Sequence, residues 1–158
     1  MPRHKSFVPH GVIPAVILPF ETDLSIDEAN FRRHLSDVAS VDGLSAITIN
    51  AHSTEVSSCS FDEQKRVLEI AGSEVGDRLP LVNGIWADGS LEAVRLAKMA
   101  TAGGASALLV FPPAPFMLGA SPQMAVAHFK RIADATDLPL IVFQYPMATT
   151  GYAKDTLL

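Results

Sequence analysis

The chain has 158 residues, 48% of them hydrophobic and 18% charged, enough to bury about two-thirds of the surface an unfolded chain exposes. With 12 Lys and Arg against 17 Asp and Glu, its formal net charge of −5 argues against a basic footprint for nucleic acid or for anionic lipid. One cysteine, Cys59, excludes an internal disulfide or a cysteine metal cluster. Apolar runs are broken by Gly and Pro well before the roughly 20 residues that span a bilayer. The first ten residues are charged and lack the apolar stretch of a secretory leader. The expectation is a soluble, cytoplasmic protein forming one domain over residues 1–158.

Five short apolar runs, at residues 12–18, 45–50, 81–84, 105–111 and 139–143, are continuous rather than alternating, as in parallel strands covered on both faces. Amphipathic segments separate them. Residues 27–40 place Phe31, Leu35 and Val38 on one stripe. The second begins with a capping box, Ser60-Phe61-Asp62-Glu63, ahead of Val67, Leu68 and Ala71. Residues 90–102 predict a helix capped by Ser90, with Leu91, Val94, Leu96 and Ala97 packing and Gly103-Gly104 ending it. Ser121-Pro122 opens the fourth, and residues 151–158 read as the start of a fifth. Strand and helix alternate throughout, which implies a parallel sheet with right-handed crossovers.

Two architectures have this order. A five-stranded doubly wound sheet is complete at about this length, whereas a (β/α)8 TIM barrel needs about 250 residues, so the chain would supply only its first five strands and four helices. The barrel is favoured. No glycine-rich phosphate loop leads from the first run into a helix, and polar or unusual residues gather where strands end: Asn50 to Glu55, Asn83-Gly84, Phe111-Pro112-Pro113 and Gln144-Tyr145-Pro146.

These segments resemble the dihydrodipicolinate synthase / N-acetylneuraminate lyase family. The resemblance rests on Gly11-Val12-Ile13-Pro14-Ala15 through Leu18-Pro19-Phe20, Asp42-Gly43-Leu44 followed by Asn50 to Glu55, Pro80 to Gly84, Ala102 to Ala107, and Asp137-Leu138-Pro139 through Phe143-Gln144-Tyr145-Pro146. It implies a class I aldolase or lyase in which a sixth-strand lysine forms a Schiff base with pyruvate or a related 2-oxo acid or sugar acid. A fifth-strand tyrosine then moves protons, and a Thr-Thr pair holds the carboxylate. It also implies a homo-oligomer, with a tetramer the expected form, and no cofactor, because the imine is itself the electron sink.

Against that pattern the chain shows departures. Its lysines are Lys5, Lys65, Lys98, Lys130 and Lys154; none falls at the end of an apolar strand, so the imine lysine is expected beyond Leu158 and the chain alone is expected to be inactive. His52 and Ser53 stand at the Thr-Thr pair, followed by Thr54; these three are the expected substrate-binding residues, with Glu55 as structural support for the loop. Phe143 stands at the catalytic tyrosine and cannot relay a proton. Tyr145, two residues on and on the same face of the strand, is either a phenol supplied to the site or a packing residue. Ala148 stands where the synthase carries an arginine for its aldehyde substrate, which points to another oxo acid. Trp86 is a rim aromatic or an interface residue. His4, His10, His34 and His128 read as helix-surface or tail residues, and Cys59 as an inert thiol. The competing reading is a non-catalytic α/β module that binds a small anion or a protein partner.

Overall fold

The computed structural model describes residues 4, 6–145, 152 and 156. It contains helix α1 (Glu28–Ala39), strand β1 (Ile47–Ile49), α2 (Phe61–Glu74), β2 (Leu81–Ile85), α3 (Ser90–Gly103), β3 (Ala107–Val110), α4 (Pro122–Ala133) and β4 (Leu140–Val142), with short 3-10 turns at His52–Thr54 and Ala114–Leu118. The expected fifth helix over 151–158, together with Lys5, Pro146, Ala148 and Lys154, lies outside the described residues.

All four strands are parallel and neighbour one another in chain order, β1-β2-β3-β4. The N-terminal run lies on the free side of β1, through parallel bridges Val12–Leu44 and Ala15–Thr48. Thr48 N–H donates to the Pro14 carbonyl at 2.8 Å and Val16 N–H to the Thr48 carbonyl at 3.1 Å. It is therefore extended and paired, although the expected regular strand over 12–18 is not formed, because Pro14 lacks the N–H that would continue the ladder. A doubly wound sheet reverses its strand order at a switch point. Here the order never reverses, and α1, α2, α3 and α4 pack each on the next. That is a partial (β/α) barrel.

The sheet has two unlike faces. Toward the helices, Ile47, Ile49, Leu81, Ile85, Leu108 and Val110 join Phe31, Leu35, Val67, Leu68, Leu96 and Ile132 in the main core. On the inner face, Ala46, Val82 and Ala107 form a smaller cluster with Phe7, Ile13, Leu109 and Ile141. Period-two alternation carries the inner face upward along each strand toward the C-terminal rim.

Local signals set most boundaries. Asp27 accepts from Asn30 N–H at the start of α1, Ser60 and Glu63 complete the capping box of α2, and Ser121 accepts from Met124 N–H at the start of α4. Gly104, at φ 93°, ends α3 in the left-handed conformation. Two expectations for α3 are corrected. Its N-cap is Gly89, without a side-chain cap, because the Ser90 hydroxyl lies 2.9 Å from His128 Nδ1. Its buried face is Ala93, Leu96, Ala97 and Ala100, a clean i, i+3, i+4, i+7 stripe that leaves Leu91 84% exposed. His128, expected on a helix surface, is buried between Phe116 and Phe129. It ties α4 to the first turn of α3.

Burial, and secondarily the charge of Arg131, lowers the His128 pKa. The unfolded chain therefore binds a proton that the folded chain resists, so stability falls as pH drops below the free imidazole value of about 6.5 and levels off beneath the folded value. Urea midpoints measured from pH 7.5 to pH 5 are expected to fall more steeply for the wild type than for His128→Gln; parallel slopes would contradict this. Gly84 generates a second expectation. A methyl there would overlap the Asn50 carbonyl oxygen and crowd the Phe111 ring at 3.2 Å. Because the obstacle is backbone, Gly84→Ala should cost about 1–3 kcal/mol, whereas Gly89→Ala, at a position with open space around it, should cost less than about 1 kcal/mol. Urea denaturation of the two variants makes the comparison.

Candidate active site

The rim is organised by the turn that follows β1. Asn50 is buried and left-handed at φ 51°, a conformation asparagine tolerates better than most residues. The twist swings its side chain to the helix side, where Nδ2 donates to the Gln64 carbonyl at 2.9 Å and to Asn83 Oδ1 at 2.8 Å. Asn83 Nδ2 in turn donates to the Gly84 carbonyl at 2.8 Å. The same turn lays the Asn50 carbonyl over Gly84. Amide hydrogen bonds thus pin the loop while its backbone crosses the inner face of the sheet.

The loop then forms the 3-10 turn that carries the expected binding residues. His52 is exposed and lies over the inner rim. Its ring centroid is 4.3 Å from Phe111, 5.0 Å from Trp86, 5.5 Å from Tyr145 and 5.7 Å from Phe143. Its Nε2 lies 2.8 Å from the Tyr145 hydroxyl. Phe111 and Phe143 meet at 4.8 Å, and Phe143 and Tyr145 at 5.1 Å edge to face. Phe143 and Tyr145 therefore share one face past the end of β4, as their spacing requires. Burial raises the Tyr145 phenol above its usual pKa, so the group is protonated at neutral pH.

The other expected residues are differently employed. Ser53 donates its hydroxyl to the Val16 carbonyl at 2.8 Å, tying the loop to the N-terminal run. Thr54 is buried, and its hydroxyl accepts from Ala51 N–H at 2.7 Å and donates to the Ala51 carbonyl at 2.8 Å. Glu55 is exposed and left-handed at φ 51°, and its backbone N–H donates to the His52 carbonyl at 3.0 Å. Its part in the loop runs through the backbone. Phe116 packs on His128, apart from this cluster.

Phe111, placed at a strand end by the sequence but given no role in the site, packs directly on His52. Its signal was strand parity: it follows Ala107 and Leu109 at intervals of two. Trp86 follows Val82 and Gly84 in the same way and takes the rim position, in contact with His52 and Phe111. Among the described residues no group of His, Cys, Asp and Glu could hold a metal ion, and no helix is long and apolar enough to cross a membrane.

An inward-facing rim on a sequentially ordered parallel sheet defines the class: a (β/α)-barrel protein with its polar groups at the C-terminal ends of the strands. The chain belongs to the Dihydrodipicolinate synthetase family, whose sequence profile matches residues 8–153. It is 35% identical over 141 residues to the 4-hydroxy-tetrahydrodipicolinate synthase of Sphingopyxis alaskensis, covering 89% of this chain and 47% of that protein. Among solved structures it resembles the chloride-inhibited dihydrodipicolinate synthase from Acinetobacter baumannii complexed with pyruvate, with a TM-score of 0.83 and 28% identity over 92% of this chain and 50% of that one. It also resembles CdNal from Clostridium difficile in complex with mannosamine, with a TM-score of 0.80 and 27% identity over 93% and 50% of the two chains. The chain spans about half the length of the relatives it matches.

Cys59 stands beside this loop, half-buried, with its sulfur 3.8 Å from the Thr54 carbonyl. Burial first, and then the negative charges of Glu63 and Glu55, push the thiol up to about 11. Iodoacetamide at pH 8 should alkylate it on the order of a hundredfold more slowly than free cysteine. A rate equal to that of free cysteine, followed by mass spectrometry, would contradict this.

Proposed function

We propose that the protein carrying this chain is a Schiff-base-forming lyase or aldolase acting on pyruvate or a related 2-oxo acid or sugar acid. The observation that carries the reading is the juxtaposition of His52 and Tyr145 on the inner rim, within a collar otherwise made of Trp86, Phe111 and Phe143. A barrel enzyme gathers its reacting groups at this end. Family membership supports the chemistry proposed, in which a lysine adds to the oxo group and the resulting iminium accepts the electron pair of an adjacent bond.

The lysine is supplied by a part of the protein outside the described residues. Lys65, Lys98 and Lys130 stand exposed on α2, α3 and α4, on the far side of the sheet from the rim. Further strands completing the barrel would also cover apolar residues at the two sheet edges: Val12 and Ile17, 61% and 58% exposed, at one, and Val142, 38% exposed, at the other. Within the site, the turn that carries His52 and Ser53 borders the carboxylate of the substrate, with Thr54 and Glu55 holding that turn. The aromatic collar and Phe143 at the family tyrosine position argue for a second substrate, or a cleaved fragment, unlike that of the synthase. The assembled enzyme is a homo-oligomer of the soluble cytoplasmic kind, with no organic cofactor.

Intact-mass spectrometry on the protein from its native source, incubated with pyruvate and borohydride, tests the reading. One reduced-pyruvate adduct per chain is expected. Absence of any adduct would contradict the proposal and leave the small-anion or protein-binding module as the alternative.

A further inference from the structure

Resting on the imine reading above, we propose that Tyr145 and His52 work as one proton-relay pair, with Tyr145 meeting the substrate and His52 acting through it. The two residues are 93 positions apart in sequence, yet their polar atoms lie 2.8 Å apart. Around them the site offers no other group suited to this task among the described residues. From β2 the neighbour is Trp86, from β3 Phe111 and from the end of β4 Phe143. The N-terminal run presents the Val16 carbonyl, already accepting from Ser53. Within the turn itself the charged residue is Glu55, which is exposed.

Phe143 takes away the phenol from the position where the family pattern expects one, and Tyr145 places another farther up the rim. A phenol held protonated by burial is a poor base alone. Paired through O–H···Nε2 with an imidazole that carries its own proton on Nδ1, it gains an acceptor. The relay is then balanced. A C–H bond next to the iminium carbon breaks and its proton passes to the Tyr145 oxygen, while the Tyr145 proton passes to His52 Nε2. The C–H electron pair flows toward the iminium nitrogen, leaving a neutral enamine and an imidazolium. Reversal returns each proton. The aromatic collar offers neither proton a competing acceptor.

Pyruvate alone suffices as the probe, because repeated enamine formation exchanges its methyl hydrogens with solvent. In the whole protein in D2O, proton NMR is expected to show methyl exchange. Tyr145→Phe and His52→Gln should each slow exchange on the order of a hundredfold. The double variant should be no slower than the slower single variant, as expected for groups acting as a unit. Each variant should still trap pyruvate under borohydride on prolonged incubation, which shows that it folds and binds. Trapping with undiminished exchange in either variant, or a double variant far slower than either single one, would overturn the relay while leaving the imine reading intact. No trapping by the wild type would overturn the imine reading and the relay with it.

Discussion

At the end of β1 the backbone must cross the inner face of the sheet, and the rim depends on how that crossing is held. The Asn50 carbonyl lies where any side chain at position 84 would project, so the neighbouring strand must present glycine. The Asn50 amide is drawn the other way, toward Asn83 and the first turn of α2. Buried amides demand partners, and a network with both members satisfied fixes one arrangement more sharply than apolar packing does. With Asn50 locked, the next residues form a turn that sets the His52 imidazole on Phe111 and against Tyr145. A shift of β1 by one residue would turn this whole constellation to the helix side.

The same sheet keeps two environments apart. Toward the helices it is a dry core of Ile, Leu, Val and Phe, which supplies the rigidity. Toward the inside, residues are small near the N-terminal ends of the strands, with Ala46, Val82 and Ala107, and aromatic at the rim, with Trp86, Phe111 and Phe143. Small residues leave room for Phe7 and Ile13 to fill the lower end. The aromatics line the rim beside the hydrogen-bonded pair of Tyr145 and His52.

Much of this was legible in the residues. Runs of buried β-formers, capping serines and asparagine-bearing strand ends gave the element order and the end of the sheet where the rim residues gather, and family motifs in order distinguished the barrel from a doubly wound sheet. The N-terminal run was harder, because apolar content shows burial but does not show that Pro14 interrupts the ladder. Ser90 carried a capping signal that His128 redirects, a contact between residues 38 apart that no local pattern contains. Leu91 looked like core by composition, yet its angle on α3 puts it opposite the buried stripe. The contact of His52 with Tyr145 was equally invisible: each was readable as a rim residue, but their meeting depends on the curvature of the sheet and on the turn at Asn50.

The central claim is that one inward rim, spanned by His52 and Tyr145, is where a 2-oxo acid is bound and reacts. A crystal structure of the whole protein after borohydride reduction with pyruvate tests it most directly. The account predicts a reduced adduct on the inner face with the Tyr145 oxygen in hydrogen-bond reach of both the adduct and His52 Nε2. An adduct elsewhere, or one on the inner face with Tyr145 turned away from both, would contradict it.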